Sequence, residues 1–465
     1  MFEDSCSTFS LSTDPIVTMS SSSYHIEKLI PDGSGLSHSA DNHPVHIEGV
    51  IPGETVTARI HRSGKKFSVA RLQSVISASA DRISPPCPHY HQCGGCTLQH
   101  MTYQRQLQEK FAILKDIFLQ SSDTRLCQAI ENHLPPLLPS EAESHYRQRI
   151  RLQVDKRQTP GFHKRRSHDS VAIQSCFLAR PEINDCLKKL LPHPSFARLL
   201  KQAEALEILF SPDDAAISIL FHYKRKPRPA DRQHATDLIC NLDLIRDIFF
   251  KGSGFSVTGC ATISFTLPPF FPHTSKSLQL SLETGGFCQV NLDQNRKLVE
   301  TVLTFSSVTD NESVLDLFCG MGNFSIALAE KARTVLGIEG QASAIRSARK
   351  NCDRADQKNC SFQKMPVHDA CFELARNGKQ YDCIVLDPPR QGAPGLARPL
   401  AALCRRRLVY ISCDPESLRN DLEELLQHGF ALKKIQPLDM FPQTHHIETV
   451  ILLEKDLPQN SFEGP

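Results

Sequence analysis

Apolar and polar residues are arranged in two different patterns along this chain. Between residues 24 and 81, short runs rich in β-branched residues are separated by Gly, Pro and Asn turns: YHIEKLI, PVHIEGVI, TVTARIHR and FSVARLQSVI. About five short strands in so short a segment predict a small barrel. Residues 1–22 are rich in Ser and Thr, and we expect a mobile tail there.

From residue 285 onward the pattern becomes a regular α/β alternation. The strand-like runs SVLDLF, TVLGIE, YDCIVLD and LVYISC are separated by stretches with helical periodicity. Near-continuous apolar strands that alternate with helices predict a parallel, doubly wound sheet. The last two strands, near ALKKIQPLDM and ETVILLEK, follow without a full helix between them.

Residues 85–281 follow neither pattern regularly. One helix is predicted over 103–120, because four apolar residues recur there at helical spacing and should face the core. These residues are Leu107, Phe111, Leu114 and Phe118.

Positive charge is concentrated in two segments. Residues 146–168, YRQRIRLQVDKRQTPGFHKRRSH, carry eight cations and one acid, and strand geometry would place Arg147, Arg149 and Arg151 on one face. A charge run is usually a solvated face, but this imbalance in a chain of net charge +2 favours phosphate binding. The predicted barrel has a second basic set, which is compatible with phosphate contacts or with a purely structural barrel: Arg59, Arg62, Lys65, Lys66 and Arg71.

Composition excludes several classes of protein. With 465 residues, 40% apolar and 22% charged, the chain can bury a sizeable core, and it has no apolar run of the ~20 residues that a membrane helix needs. The 17 cysteines are an odd number, and the N-terminus has no secretory signal design. We therefore expect a reducing cytoplasm, with some thiols used for metal binding or catalysis.

Three cysteines lie close together in CPHYHQCGGC. Cys87, Cys93 and Cys96 have the spacing C-x5-C-x2-C, which is typical of a metal site. A fourth ligand must come from elsewhere, and Cys176 is the best candidate because it follows the basic segment. The residues alone are compatible with both tetrathiolate zinc and an iron–sulfur cluster.

A glycine turn follows the first strand of the α/β region, in VLDLFCGMGNF. Gly320 and Gly322 would let a ligand approach the backbone beside a helix N-terminus. Glu339 closes the next strand, placed to accept hydrogen bonds from ribose hydroxyls. The turn reads GxGNF where a dinucleotide site has GxGxxG, which favours S-adenosylmethionine over a nicotinamide cofactor.

Three further motifs carry reactive side chains. Asp387 ends a strand in VLDPPRQG, and Cys413 ends another in LVYISCDPESL, where a thiolate could act as a nucleophile. The segment LDMFPQTHHIE offers His445, His446 and Glu448 as candidates for a general base. Residue chemistry alone does not choose among these three.

With DPPRQG followed by LVYISCDP, and with LDMFPQTHHIE, the chain resembles the bacterial RNA 5-methyluridine methyltransferases over about residues 24–455. It is most similar to the iron–sulfur 23S rRNA uracil-5 enzymes of the RumA/RlmD type. The resemblance implies that Cys413 is the nucleophile and Glu448 the base of uridine C5 methylation. It implies S-adenosylmethionine contacts at Gln289, Phe318, Asn323, Glu339 and Asp387. It also implies a [4Fe–4S] cluster on Cys87, Cys93, Cys96 and Cys176.

The same resemblance implies a multidomain α/β architecture. We expect a TRAM-like, OB-like small β-barrel that binds RNA over 23–81, and a central α+β iron–sulfur domain over 82–283. A Rossmann-like class I methyltransferase domain is expected over 284–465. The partner would be RNA, 23S rRNA in the first place, and the protein would act as a monomer without a membrane.

Some alternatives stay open at this point. A tRNA or dual-specificity uracil-5 enzyme would have similar motifs, and a catalytically idle RNA-binding assembly factor would keep the fold. An enzyme that methylates base amino groups is disfavoured by Arg390 and Cys413. Relatives usually have Asn after the nucleophile, whereas this chain has Asp414, which either raises the thiol pKa or points away.

Overall fold

The computed structural model describes residues 21–255, 262–271 and 276–455, so the predicted tail lies almost entirely outside the described residues. The chain forms two compact units, one that ends at Arg82 and one that begins at Ile83. The division of the second unit near residue 283 stays a prediction.

The first unit is a six-stranded sheet with its own small core. Its sheet order is β1-β5-β6-β4-β3-β2, and every pair is antiparallel except β4 with β6. The core contains Ile26, Val45, Ile47 and Val56, all fully buried. Closure of this sheet into a TRAM-like barrel stays a prediction. The strands are β1 (Ser22–His25), β2 (Lys28–Leu29), β3 (Gly35–His38), β4 (Pro44–Ile47), β5 (Thr55–Ser63) and β6 (Ser68–Ser77).

Two helices begin the second unit, α1 (Tyr103–Leu119) and α2 (Thr124–His133). Helix α1 confirms the helix predicted over 103–120. Leu114 and Phe118 are buried as expected, and Leu107 and Phe111 are partly buried.

A second six-stranded sheet follows, in the order β12-β11-β10-β7-β8-β9, beside a two-stranded pair, β13 with β14. Helices α3 to α5 belong to the same region, and its core packs α3 and α4 beneath β10 and β11. The strands are β7 (Arg149–Val154), β8 (Pro160–His163), β9 (Ser170–Ala172), β10 (Ala203–Ser211), β11 (Ala216–Tyr223), β12 (Ile245–Lys251), β13 (Thr262–Leu267) and β14 (Leu278–Glu283). The helices are α3 (Pro181–Leu190), α4 (Pro194–Leu200) and α5 (Pro229–Asn241).

The third sheet has seven strands in the order β17-β16-β15-β18-β19-β21-β20. The first five are parallel and β21 is antiparallel to both neighbours, which confirms the predicted parallel sheet. The strands are β15 (Ser313–Leu317), β16 (Thr334–Glu339), β17 (Cys360–Lys364), β18 (Tyr381–Leu386), β19 (Cys404–Ser412), β20 (Phe430–Leu438) and β21 (Glu448–Lys455). The helices are α6 (Leu292–Ser306), α7 (Ser325–Ala329), α8 (Ala342–Arg354), α9 (Val367–Arg376), α10 (Ala397–Leu403) and α11 (Pro415–Gln427).

Helix α1 is tied to the loop between β20 and β21 by buried polar contacts. Lys110 Nζ lies 2.6 Å from Asp439 Oδ1, and both side chains are fully buried. Gln106 exchanges two hydrogen bonds of 3.0 Å with Gln443, one to its side chain and one from its backbone N–H. These contacts hold the loop that leads into Glu448. None of the helices in the described ranges is long and apolar enough to cross a membrane.

Candidate active site and cysteine cavity

Four predicted site residues lie at one edge of the seven-stranded sheet. Phe318 and Asp387 directly follow β15 and β18, Cys413 directly follows β19, and Glu339 is the last residue of β16. The register pairs Leu317 with both neighbouring strands, so the carboxyl ends of these strands are level. In a parallel sheet this edge is where ligands bind.

Strand register also brings Glu448 opposite Cys413. Ser412 pairs with Thr449 in the antiparallel β19–β21 pair. One residue nearer the sheet edge, the same register sets Cys413 opposite Glu448. Glu448 is 3% exposed. The antiparallel last strand is therefore what carries a carboxyl group from the end of the chain to the predicted nucleophile.

The charges around Cys413 are mostly negative. The pKa of its thiol is raised to about 12, chiefly by burial and then by Glu448 and Asp387, and Arg390 opposes this shift. Burial also raises the pKa of Asp387 to about 7, with a further contribution from Asp316. The pKa of Glu448 is raised well above its usual value by burial and by Asp387. Burial among carboxyl groups therefore shifts all three groups toward their protonated forms.

Asp414 caps helix α11 and contributes little to this field. Its Oδ1 accepts a hydrogen bond of 2.9 Å from the backbone N–H of Ser417. It is the smallest of the influences that raise the pKa of Cys413. Asp414 therefore raises the thiol pKa slightly, while its carboxylate is engaged at the N-terminus of α11.

The two histidines occupy different surroundings from Glu448. His446 Nε2 lies 3.4 Å from Arg390 Nη2, and burial, His445 and Arg390 lower the pKa of His446 to about 3. His445 Nδ1 lies 3.3 Å from Thr97 Oγ1. An imidazole with so low a pKa is a weak base, whereas the Glu448 carboxylate is a strong one, so the geometry favours Glu448 as proton acceptor.

The glycine turn requires glycine at two positions. Gly320 has φ +55° and Gly322 has φ +88°. A Cβ on Gly322 would lie 3.0 Å from Ile326 Cδ1 and 3.3 Å from Phe362 Cζ, so a side chain there would be both strained and crowded. Asn323 exchanges amide hydrogen bonds of 2.9 and 3.0 Å with Asn295, which fixes its side chain beside the turn.

Asp316 belongs to this region but was not predicted from the sequence. It is fully buried in β15 and accepts a hydrogen bond from Ser325 Oγ. Burial raises its pKa to about 7. The signal that could have identified it is a single acid inside the apolar run SVLDLF.

Gln289 lies outside the sheet edge, in the loop that leads to α6. Arg149 Nη1 donates to the Gly286 carbonyl at 2.7 Å, and Gln148 N–H donates to the Val290 carbonyl at 3.1 Å. This loop is therefore held on both sides of Gln289 by residues at the start of β7.

The four predicted metal-binding cysteines line one cavity of about 330 Å³. Within the described residues, no three His, Cys, Asp or Glu side chains are close enough together to hold one metal ion. Every cysteine among the described residues is a free thiol. Burial raises the pKa of the Cys96 thiol to about 12 and also raises the pKa of Cys93 and Cys176.

The three alternating arginines share a face, but that face lines the same cavity. Arg147 Nε is buried and has no hydrogen-bond partner within the described ranges. Arg149 forms an ion pair with buried Glu207, and Arg151, half exposed, lies 3.7 Å from the same carboxylate. The prediction that all three face phosphates is therefore wrong for Arg147 and Arg149, because both point into the protein.

Arg165 is also used internally. Its guanidinium donates to the carbonyl oxygens of Cys96 at 2.6 Å and Cys93 at 3.3 Å, and lies 4.6 Å from the centroid of the Tyr90 ring. Gly94 N–H donates to the His163 carbonyl at 2.9 Å. The turn between β8 and β9 therefore packs on residues 87–96, the cysteine loop.

Comparison with known proteins gives consistent results. The model of the tRNA (uracil-5-)-methyltransferase family matches residues 102–456. The 23S rRNA (uracil(1939)-C(5))-methyltransferase RlmD of Shewanella woodyi is 33% identical over 443 residues, covering 93% of this chain and 95% of the relative. Its counterpart in Aliivibrio fischeri is 30% identical, covering 93% and 96%.

A solved structure has the same fold over most of its length. The tRNA (uracil-54, C5)-methyltransferase of Pyrococcus abyssi, in complex with S-adenosyl-L-homocysteine, superimposes with a TM-score of 0.66. The alignment covers 92% of this chain and 99% of that one at 23% identity. At this identity the likeness concerns the fold alone.

Proposed function

Because the chain belongs to the tRNA (uracil-5-)-methyltransferase family, we propose that it methylates C5 of a uridine in RNA, with S-adenosylmethionine as methyl donor. The substrate is 23S rRNA, which the names of its full-length relatives specify. The observation that carries the proposal is the register of the β19–β21 pair, which ends at Ser412 with Thr449 and so sets Cys413 beside Glu448 at this edge of the sheet.

The reaction we propose uses these two side chains at different steps. The Cys413 thiol first gives its proton to solvent, and Sγ then adds to C6 of the uracil, which turns the ring into an enolate with a nucleophilic C5. C5 takes the methyl group from the sulfonium, and S-adenosylhomocysteine remains. The Glu448 carboxylate then accepts the C5 proton, the C6–S bond breaks, and the C5–C6 double bond and the thiolate are restored.

The residues around the pair support this assignment. Arg390 is the cation that lowers the pKa of Cys413, so it favours the thiolate that attacks. The target base must leave its stack to reach the sheet edge, as in other enzymes that act on bases. The methyl donor would be held by residues at this edge and in two neighbouring loops. They are Phe318, Glu339 and Asp387 at the edge, Asn323 beside the glycine turn, and Gln289 in the loop that leads to α6.

We further propose that Cys87, Cys93, Cys96 and Cys176 hold a [4Fe–4S] cluster. Four thiolates about 2.3 Å from one zinc ion would lie close together. These four instead surround a cavity of about 330 Å³ without gathering at one point, which suits a larger group. Bound there, the cluster would act as a structural cross-link, because methyl transfer involves no oxidation or reduction. It would join the cysteine loop, Cys176 and the turn that contains Arg165.

Removal of Cys413 and of Glu448 should produce different failures. Glu448→Gln should permit attack and methyl transfer but block proton removal, leaving the protein covalently joined to methylated RNA. Cys413→Ala should abolish both methylation and the adduct, because C5 is never activated. The measurement is denaturing electrophoresis with labelled 23S rRNA, and the adduct should vanish when both changes are combined.

Cys240→Ala is the matched control, because Cys240 is an exposed thiol on α5. It should methylate at the wild-type rate. A folded Glu448→Gln variant that binds the methyl donor but gives no adduct would contradict the base assignment. Full methylation by Cys413→Ala would contradict the covalent mechanism and leave an amino-methylating enzyme as the alternative.

A further inference from the structure

An exposed, basic hairpin projects from the first unit between β5 and β6. Its turn is closed by a hydrogen bond of 3.1 Å from Gly64 N–H to the Phe67 carbonyl, and residues 61–67 are all exposed. The chain has no acidic residue from position 55 to position 80. The hairpin carries five exposed cations: Arg59, Arg62, Lys65, Lys66 and Arg71.

One large aromatic side chain lies among these cations. Phe67 is 41% exposed, although burial would normally be favoured for a phenylalanine. Its ring stacks on the His46 ring of β4, with the centroids 4.2 Å apart and an angle of 9° between the planes. The stack fixes the orientation of the Phe67 ring while a large part of that ring stays accessible to a ligand.

We propose that the Phe67 ring is a stacking platform for an unpaired RNA base, with Arg62, Lys65 and Lys66 contacting the phosphates beside it. Proteins that bind single-stranded nucleic acid combine a basic surface with aromatic rings on which bases stack. Here both components lie within six residues of one hairpin. The inference rests on the proposed function, because it assumes that the substrate is RNA.

An apolar patch for a protein partner is the competing interpretation of Phe67. Five cations in a segment with no acid from position 55 to position 80 favour a polyanion, because like charges repel one another unless a partner neutralises them. The flat ring-on-ring arrangement with His46 likewise presents a planar surface, which matches a base better than an aliphatic side chain.

Salt dependence separates stacking from phosphate binding. The full-length protein and its variants would be titrated with a fluorescent oligouridylate of about twelve nucleotides over a range of salt concentrations. Phe67→Ala should weaken binding about tenfold at every salt concentration without changing the slope of log K against log salt. Lys65→Ala combined with Lys66→Ala should instead reduce that slope by about 1.4, since each phosphate contact on a single strand contributes about 0.7.

A second probe tests the base directly. An oligomer of the same length with abasic sites keeps the phosphates but has nothing to stack, so wild type should bind it about as weakly as Phe67→Ala binds the intact oligomer. Phe67→Tyr should retain wild-type affinity and Phe67→Leu should not. Ile76→Ala is the matched control, because Ile76 is 61% exposed on β6, the strand that follows Phe67, and it should leave binding unchanged.

Equal affinity of wild type and Phe67→Ala, or wild-type affinity of Phe67→Leu, would overturn the platform while wild-type methylation stays intact. If wild type still binds the abasic oligomer more tightly than Phe67→Ala does, the Phe67 ring contacts something other than a base, and the stacking platform is overturned. If wild type neither binds RNA nor methylates it, the proposed function fails together with the platform.

Discussion

Two cysteine sites in the second unit differ in the sign of the charges around them. Glu448 and Asp387 surround the Cys413 thiol, and Arg390 is the cation that lowers its pKa. Arg147 lowers the pKa of Cys96 and Cys176, and Arg165 lowers that of Cys93.

This difference matches two uses of sulfur. A thiol among carboxyl groups stays protonated, and hence unreactive, until a substrate changes its surroundings. Thiols that bind metal together carry several negative charges, which a buried guanidinium offsets. The electrostatic surroundings of each cysteine therefore separate the proposed nucleophile from the proposed ligands better than burial does, since burial raises the pKa in both sites.

The largest expected effect is on metal content. Anaerobically purified protein should contain about four irons per chain, and Cys96→Ser or Cys176→Ser should lose most of them. Cys127→Ser, on α2 away from the cavity, is the control and should keep its iron. Elemental analysis measures this, and stoichiometric zinc without iron would show that the cluster assignment is wrong.

Alkylation rates test how strongly the surroundings of Cys413 keep its thiol protonated. With a pKa raised to about 12, its thiol should react with iodoacetamide at least tenfold more slowly at pH 7 than the exposed Cys240. The Cys413 rate should rise about tenfold per pH unit as the thiolate fraction grows.

Asp387→Asn should speed this alkylation, because it removes a charge that raises the thiol pKa. The gain should be small below pH 7, where Asp387 is protonated, and larger above it. Peptide mass spectrometry follows both rates. Equal reactivity of Cys413 and Cys240 at pH 7 would show that the surroundings of Cys413 do not keep its thiol protonated.

The buried carboxyl group of Asp316 should make the free energy of unfolding depend on pH. Asp316 has a folded-state pKa of about 7 against 3.8 when unfolded, so the folded state binds more protons between these values. The free energy of unfolding should therefore fall as pH rises from about 4 to 7. Asp316→Asn should flatten this decline by roughly 3 kcal/mol in urea titrations. An unchanged pH profile would show that Asp316 is ionised in the folded protein.

The smallest effect concerns Arg165 at the cysteine site. Arg165→Lys keeps the positive charge but loses the planar fork that spans the Cys93 and Cys96 carbonyls. Metal should leave about threefold faster in an anaerobic chelator, followed by the visible absorbance. Arg166→Lys, the same exchange one residue further on, should release metal at the wild-type rate. Identical rates for both variants would mean that the Arg165 contacts do not stabilise the site.

The sequence by itself determined the elements of the seven-stranded sheet and the placement of most of its site residues. Apolar runs that alternate with helices predict parallel strands, and parallel strands end at one edge, so motifs that follow the strands must meet. Glu339, Asp387 and Cys413 were predicted in this way and do lie at that edge, whereas Phe318 was implied by the resemblance. The spacing of three cysteines likewise predicted a shared site, and these three line one cavity with Cys176.

Only the tertiary structure decided what each charged group faces. Which of Glu448, His445 and His446 lies opposite Cys413 depends on the register of the β19–β21 pair, which joins two separate segments of the chain. The turn of Arg147, Arg149 and Arg165 toward the interior depends on Glu207 and on the cysteine loop. The local sequence pattern gives the spacing of apolar residues and the composition, which predict the element and its buried face. The partner of a charged side chain comes from a different segment of the chain, which only the fold brings close.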